Sequence, residues 1–275
     1  MAMEPTRRAR ARLFLRSEAA MGQVALPVPK RRAAAPILTP SQPPISPPPR
    51  QKPPSKPLDV FIPDDVKPLD LPALSREEKI RLLAQLEEQR VRNCDKCRLA
   101  QTRTQTVFGE GDPDAPIFFI GEGPGETEDK TGRPFVGRAG QLLDQMIVAM
   151  GLKREQVYIA NIVKCRPPQN RAPAPDEVET CTPYLVRQIE IIRPRAIVTL
   201  GLPASKYMLS SNSTMGRLRG QWHEWRGIKL MPTFHPAYLL RSYTVENRQA
   251  VWSDLQKVMD EIGLKGRKRN VEEPV

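Results

Sequence analysis

An α/β fold, built on a parallel sheet covered by helices on both faces, is predicted by three features of the sequence. From residue 115 onward, apolar or β-rich runs alternate with stretches of helical period. The stretch Gly121 to Gly140, GEGPGETEDKTGRPFVGRAG, begins straight after the run Ala115-Pro116-Ile117-Phe118-Phe119-Ile120 and ends where a helical period starts. The polar residues richest in chemistry fall at the carboxyl ends of the expected strands, where sheets of this class collect their ligands.

The amino-terminal stretch stands apart from this pattern. Sixteen of the 30 prolines precede Ala73, among them Pro43-Pro44, Pro47-Pro48-Pro49 and Pro53-Pro54, and apolar periodicity is scarce. Residues 1–72 therefore read as a disordered, partly polyproline II tail. Residues 73–265 form one domain, large enough for a single packed core, and residues 266–275 a short charged carboxyl-terminal tail. The net charge of +12 is shared about equally between tail and domain, which favours a polyanionic partner. The basic tail is expected to bind a polyanion such as DNA, or a protein partner, or simply to keep the chain soluble.

No run approaches 18 apolar residues, so no membrane span is expected, and no secretory signal is present. The start, Arg7 to Ser17, is Arg-rich and weakly similar to a transit peptide. It reads equally as a basic arm, or as upstream of a later start at Met21. The expectation is a monomer, cytoplasmic and associated with the nucleoid.

The first helix is marked by a Ser75/Glu78 capping box, with Ile80, Leu83 and Leu86 as its buried face. The strand 115–120 opens the domain's sheet and delivers the acidic loop. Four carboxylates, Glu122, Glu126, Glu128 and Asp129, precede the first lysine of that loop, which argues against a phosphate cradle and for a carboxylate-bearing site. Leu142, Leu143, Met146, Ile147 and Met150 recur at helical spacing until Gly151 ends the helix. A β-rich strand, 157–163, places Asn161 near its carboxyl end. A helix from about Asp176 to Ile192 leads to a strand at 196–200, closed by Gly201 and a short helix. Two runs flanking Arg226-Gly227 read as a hairpin leading to His235, and an amphipathic helix spans about Val245 to Ile262.

Cys94, Cys97, Cys165 and Cys181 are the chain's only cysteines. The Cys94-Asp95-Lys96-Cys97 spacing lets two thiolates grip one centre. The first pair follows the first helix, Cys165 lies in a loop, and Cys181 near the start of a helix. Two disulfides, a zinc ion and an iron–sulfur cluster all suit four cysteines; without an export signal, disulfides fit worst.

The acidic loop, the segment Asn161 to Arg171 (NIVKCRPPQNR), the segment His235 to Arg241 (HPAYLLR) and the four cysteines together resemble the family 4 uracil-DNA glycosylases, from about Arg76 to about Ile262. Those are iron–sulfur enzymes that excise uracil from DNA. The resemblance implies a three-layer α/β/α sandwich around a four-stranded parallel sheet, and a structural four-iron four-sulfur cluster on Cys94, Cys97, Cys165 and Cys181. It also implies a substrate of uracil-containing DNA, single- or double-stranded, cleaved hydrolytically at the N-glycosidic bond to begin base excision repair.

It further implies roles for individual residues. Phe135 stacks on the flipped base, Asn161 reads the N3–H and O4 edge, and His235 donates to O2 as the uracil anion departs. Glu122 and Asn170 serve the water and the cationic sugar, because the family carries a glycine, Gly123, where the most active branch of the superfamily has an aspartate. Glu128 crowds the C5 edge against thymine's methyl. Leu239 and Leu240 either wedge into the gap left by the extruded nucleotide or cap the core, and Arg241 holds phosphate.

Two other readings compete. A noncatalytic nucleic-acid-binding module of replication or repair, held by zinc or an iron–sulfur cluster, explains charge and cysteines but not the joint presence of Phe135, Asn161, Asn170 and His235. A related branch attacks the abasic sugar through a histidine on a basic loop, and Lys164-Cys165-Arg166-Pro167-Pro168 contains no histidine.

Overall fold

The computed structural model describes residues 74–264, all within one unit, Ser55–Val275. The tails expected at 1–72 and 266–275 lie outside the described residues. Six strands form one sheet: β1 (Glu110–Gly111), β2 (Ile117–Gly121), β3 (Tyr158–Asn161), β4 (Ala196–Leu200), β5 (His223–Trp225) and β6 (Ile228–Thr233), in the spatial order β1-β3-β2-β4-β6-β5. The inner four are mutually parallel, as expected; β1 and β5 pair antiparallel at the two edges. The hairpin at Arg226-Gly227 supplies β5, whereas the two-residue β1 carries too short a pattern to be read from sequence.

Among the described residues, eight α-helices accompany the sheet: α1 (Arg76–Leu86), α2 (Glu126–Thr131), α3 (Arg138–Ala149), α4 (Pro175–Ile192), α5 (Leu202–Leu209), α6 (Met215–Leu218), α7 (Pro236–Arg241) and α8 (Val245–Glu261). The alternation of side chains along the strands divides the core in two. Phe118, Ile120, Tyr158, Ala160, Ile197 and Leu230 face one way, onto Leu83 of α1, Leu185 and Ile189 of α4 and Met208 of α5. Ile117, Phe119, Ile159, Val198 and Met231 face the other, onto Leu143 and Ile147 of α3, Leu239 of α7 and Leu255 and Val258 of α8. The result is the three-layer arrangement, and β2 and β4, buried on both faces, are almost wholly apolar for that reason, Thr199 of β4 being the polar exception and hydrogen-bonded to Ser205.

Three details depart from the sequence reading. Ile80 is 50% exposed, because the inward stripe of α1 runs through Lys79, Leu83 and Leu86 and leaves position 80 one step off it. β3 ends at Asn161 and does not run on to 163. The acidic stretch contains a helical turn of its own, α2, whose first turn carries Glu126, Glu128 and Asp129, the charges favoured beside a helix amino terminus.

Candidate active site

The connection leaving β2 crosses the α3 face, whereas the one leaving β4 enters α5 on the opposite face. A sheet divided in this way opens a crevice at the carboxyl ends of the two strands. That crevice is a cleft of about 800 Å³, walled by the loop after β2, the loop after β3, the turn after β4 and the start of α7.

Asn161 is the last residue of β3, opposite Gly121 in the ladder, and is 1% exposed. Its Oδ1 faces the cleft region without a hydrogen-bond partner, an arrangement that costs about 1–3 kcal/mol unless a ligand fills it. Gly121 is required for this placement, since a Cβ there would lie 2.3 Å from that oxygen and 2.5 Å from the Phe135 ring. Phe135 itself is buried in the cleft wall, its ring centroid 5.6 Å from that of His235.

His235 caps the amino terminus of α7, its Nδ1 accepting the Ala237 N–H at 3.0 Å. The neutral ring therefore carries its proton on Nε2. Burial, with Arg241 nearby, lowers its pKa to about 4, so this donor is uncharged at neutral pH. Glu122 follows β2, half-buried on the cleft wall, and burial raises its pKa above the ordinary carboxylate value.

Glu128 lines the cleft while its Oε1 accepts the N–H groups of Val136 and Gly137 at 3.0 and 2.8 Å, tying α2 to the Phe135 turn. Asn170 is exposed, in a turn where it and Gln169 both have φ of +55°, and its Oδ1 accepts from Arg166 Nε at 2.8 Å.

The cleft thus brings together Glu122, Gly123, Glu128, Phe135, Asn161, Asn170, His235 and Arg241. Leu239 is buried in the core, while Leu240 stands 38% exposed and does not line the cleft. Sequence reasoning missed Tyr238, one helical turn beyond His235, and Met215, which no local pattern signals.

The four cysteines meet elsewhere, at a small pocket lined by Cys94 and Cys97 from the stretch after α1, by Cys165, and by Cys181 and Tyr184 of α4. None of the four forms a disulfide. Tyr184 Oη shares a hydrogen bond with Cys94 Sγ at 3.3 Å, Arg103 donates to Cys165 Sγ at 3.2 Å, and the Lys164 N–H donates to Cys181 Sγ at 3.2 Å. Burial pushes the Cys165 thiol up, and that of Cys181 to about 12. Four soft sulfurs with N–H and O–H donors around them are the donor set of a thiolate-bound metal centre.

The sequence model of the family described as the uracil DNA glycosylase superfamily matches residues 108–256. A type-4 uracil-DNA glycosylase of Thermotoga maritima is 47% identical over 194 residues, spanning 70% of this chain and 99% of that protein. Another, of Sulfurisphaera tokodaii, is 48% identical over 182 residues, 63% of this chain and 82% of that protein. A third, of Archaeoglobus fulgidus, is 44% identical over 183 residues, 64% and 91% of the respective chains.

Proposed function

We propose that this chain, which belongs to the uracil DNA glycosylase superfamily and within it to the type-4 uracil-DNA glycosylases, removes uracil from DNA by hydrolysing the N-glycosidic bond of a flipped-out deoxyuridine. The observation that carries the reading is the buried, unpartnered Oδ1 of Asn161 in a cleft shared with His235 and Phe135. Uracil offers an N3–H to that oxygen and an O4 to the amide NH₂ beside it. Cytosine presents the reverse pattern, an acceptor at N3 and a donor at N4, so both contacts would be lost.

With the base stacked on Phe135, the C1′–N1 bond breaks and its electron pair passes to the uracil ring. His235 Nε2–H donates to O2 as that oxygen gains charge, and as a neutral donor it stabilises the anion without first having to be ionised. Water forms the new bond at C1′ and loses a proton. Glu122, whose burial makes its carboxylate a stronger base than usual, receives that proton or opposes the sugar's positive charge, with Asn170, which lines the same cleft, orienting the water. Gly123 leaves this wall open, Glu128 stands at the base's C5 edge, and Arg241 with the exposed Leu240 meets the DNA backbone and the gap left in the stack.

Cys94, Cys97, Cys165 and Cys181 hold a four-iron four-sulfur cluster in this reading. Support comes from the four soft sulfurs gathered at one pocket, the hydrogen-bond partners around three of them, and the cysteine pattern shared with the family. Bound there, such a cluster would tie the stretch after α1 to α4 through these cysteines and would take no part in bond cleavage.

Purified protein incubated with an oligonucleotide bearing one uracil tests the activity. Strand cleavage is expected only after alkali, with free uracil released and no divalent metal added. Intact strands after alkali would defeat the reading, and a protein–DNA adduct trapped by borohydride would replace hydrolysis with Schiff-base chemistry.

A further inference from the structure

Phe135 adopts a backbone conformation that a bulky side chain does not favour. Its φ is +50°, in the left-handed region, and a residue persists there only when its surroundings hold it. Arg154, in the single turn of 3₁₀ helix (Arg154–Gln156) that leads into β3, reaches back to this turn. Its Nη1 donates to the Phe135 carbonyl at 3.1 Å and its Nη2 to the carbonyl of Pro134. Arg154 is itself pinned, since Glu110 Oε1 accepts from its Nε at 2.7 Å and Asp144 Oδ1 from its Nη1 at 2.6 Å. On the far side of the turn, Glu128 holds the next two N–H groups. Gly140 completes the fit, because a Cβ there would come within 1.9 Å of the Phe135 carbonyl oxygen.

We propose that Arg154 is a positioning residue for uracil stacking: its guanidinium fork fixes the Pro134 and Phe135 carbonyls and thereby aims the Phe135 ring at the flipped base. The proposal rests on the stacking role given to Phe135 above. It places Arg154 just before β3 and Asn161 at that strand's last position, so the stacking ring and the edge-reading amide are both referred to one strand. Lysine cannot substitute, because a single ammonium lacks the planar fork that spans two carbonyls and two carboxylates.

The test uses the full chain and four measurements: kcat/KM on a single-uracil oligonucleotide, inhibition by free uracil, binding of uracil-free DNA, and the melting temperature. Arg154→Met is expected to lower kcat/KM and weaken inhibition by free uracil, each by about 10- to 100-fold, the range of a lost base–aromatic stack. Binding of uracil-free DNA should not change, and Arg154→Lys should recover little. A role through Phe135 also requires non-additivity: in a Phe135→Ala background, Arg154→Met should change uracil inhibition by less than about twofold. If Arg154→Met does not fold, Glu110→Gln decides, since it leaves the guanidinium present but loosens it, and a smaller loss of the same kind is expected. Additive losses in the Phe135→Ala background, or unaltered uracil inhibition in the folded variant, would overturn the proposal. A wild-type chain that releases no uracil would instead overturn the stacking reading itself.

Discussion

The substrate cleft and the cysteine pocket hang from the same segment, with Asn161 closing β3 and Cys165 four residues on, yet they treat polar atoms in opposite ways. In the cleft, a buried amide oxygen is left without a partner in an open volume of about 800 Å³. In the pocket, three of the four sulfurs already have hydrogen-bonding neighbours and the open volume is only about 10 Å³. Unmet hydrogen bonds mark where a ligand comes and goes; met ones mark where the fold is held. Lys164 joins the two regions, its N–H on Cys181 Sγ and its buried Nζ donating to the Asn161 carbonyl at 2.9 Å and to Gln188 Oε1 at 2.6 Å.

The largest effects should come from the cleft. Asn161→Asp replaces the NH₂ that faces uracil O4 with an acceptor and buries a negative charge beside it. Each unpaired group costs about 1–3 kcal/mol and the charge more, so uracil excision should fall by about a thousandfold or beyond. His235→Ala should lower excision by about 10²- to 10³-fold, the usual loss on removing one oxyanion donor, while binding of uracil-containing DNA stays nearly intact. Single-turnover rates beside equilibrium binding separate the two failures, one of selection and one of chemistry. Wild-type excision by Asn161→Asp would remove the contrast on which the comparison stands.

The cysteine pocket should fail differently. Serine at Cys94, Cys97, Cys165 or Cys181 is expected to lower solubility and melting temperature, while the protein that remains folded still prefers uracil to cytosine. The wild type should be brown, with broad visible absorbance and about four irons per chain, the content of one such cluster. A colourless protein with one equivalent of zinc would keep the pocket structural but end the cluster reading. Loss of base selection at unchanged stability would erase the distinction between the two regions.

Much of this contrast was legible in the sequence, because both regions announce themselves locally. The apolar runs of β2 and β4, the glycines after β2 and the four cysteines each carry their signal within a few residues. What stayed hidden depends on contacts distant in sequence. Arg154 reads as an ordinary surface arginine until the fold brings Pro134, Phe135, Glu110 and Asp144 around it. The exposure of Ile80 follows from which stripe of α1 meets the core, and a short helix with few apolar positions does not fix its own rotation. The parting of Leu239 from Leu240, one buried and one outside, is likewise decided by how the six-residue α7 lies on the sheet.

The smallest expected effect is an absence of change, and it bears on the chemistry of the cleft. His235 has its pKa lowered to about 4 by burial and by Arg241, and its Nδ1 is occupied by the Ala237 N–H. Protonation would place a second N–H against that donor, so the charged form is opposed by geometry as well as by desolvation. Excision measured in single turnover should therefore be nearly level from about pH 6 to 8, where an ordinary histidine near 6.5 would titrate. Stability follows the same sign: with the folded value below the unfolded one, the neutral ring's contribution is complete above about pH 6.5 and is lost as pH falls towards 4. A Gln at position 235 sharpens the test, since it keeps an N–H donor but cannot titrate. If the wild type shows a step near pH 6.5 that His235→Gln lacks, His235 is charging in the working range, and the donor at uracil O2 is an imidazolium.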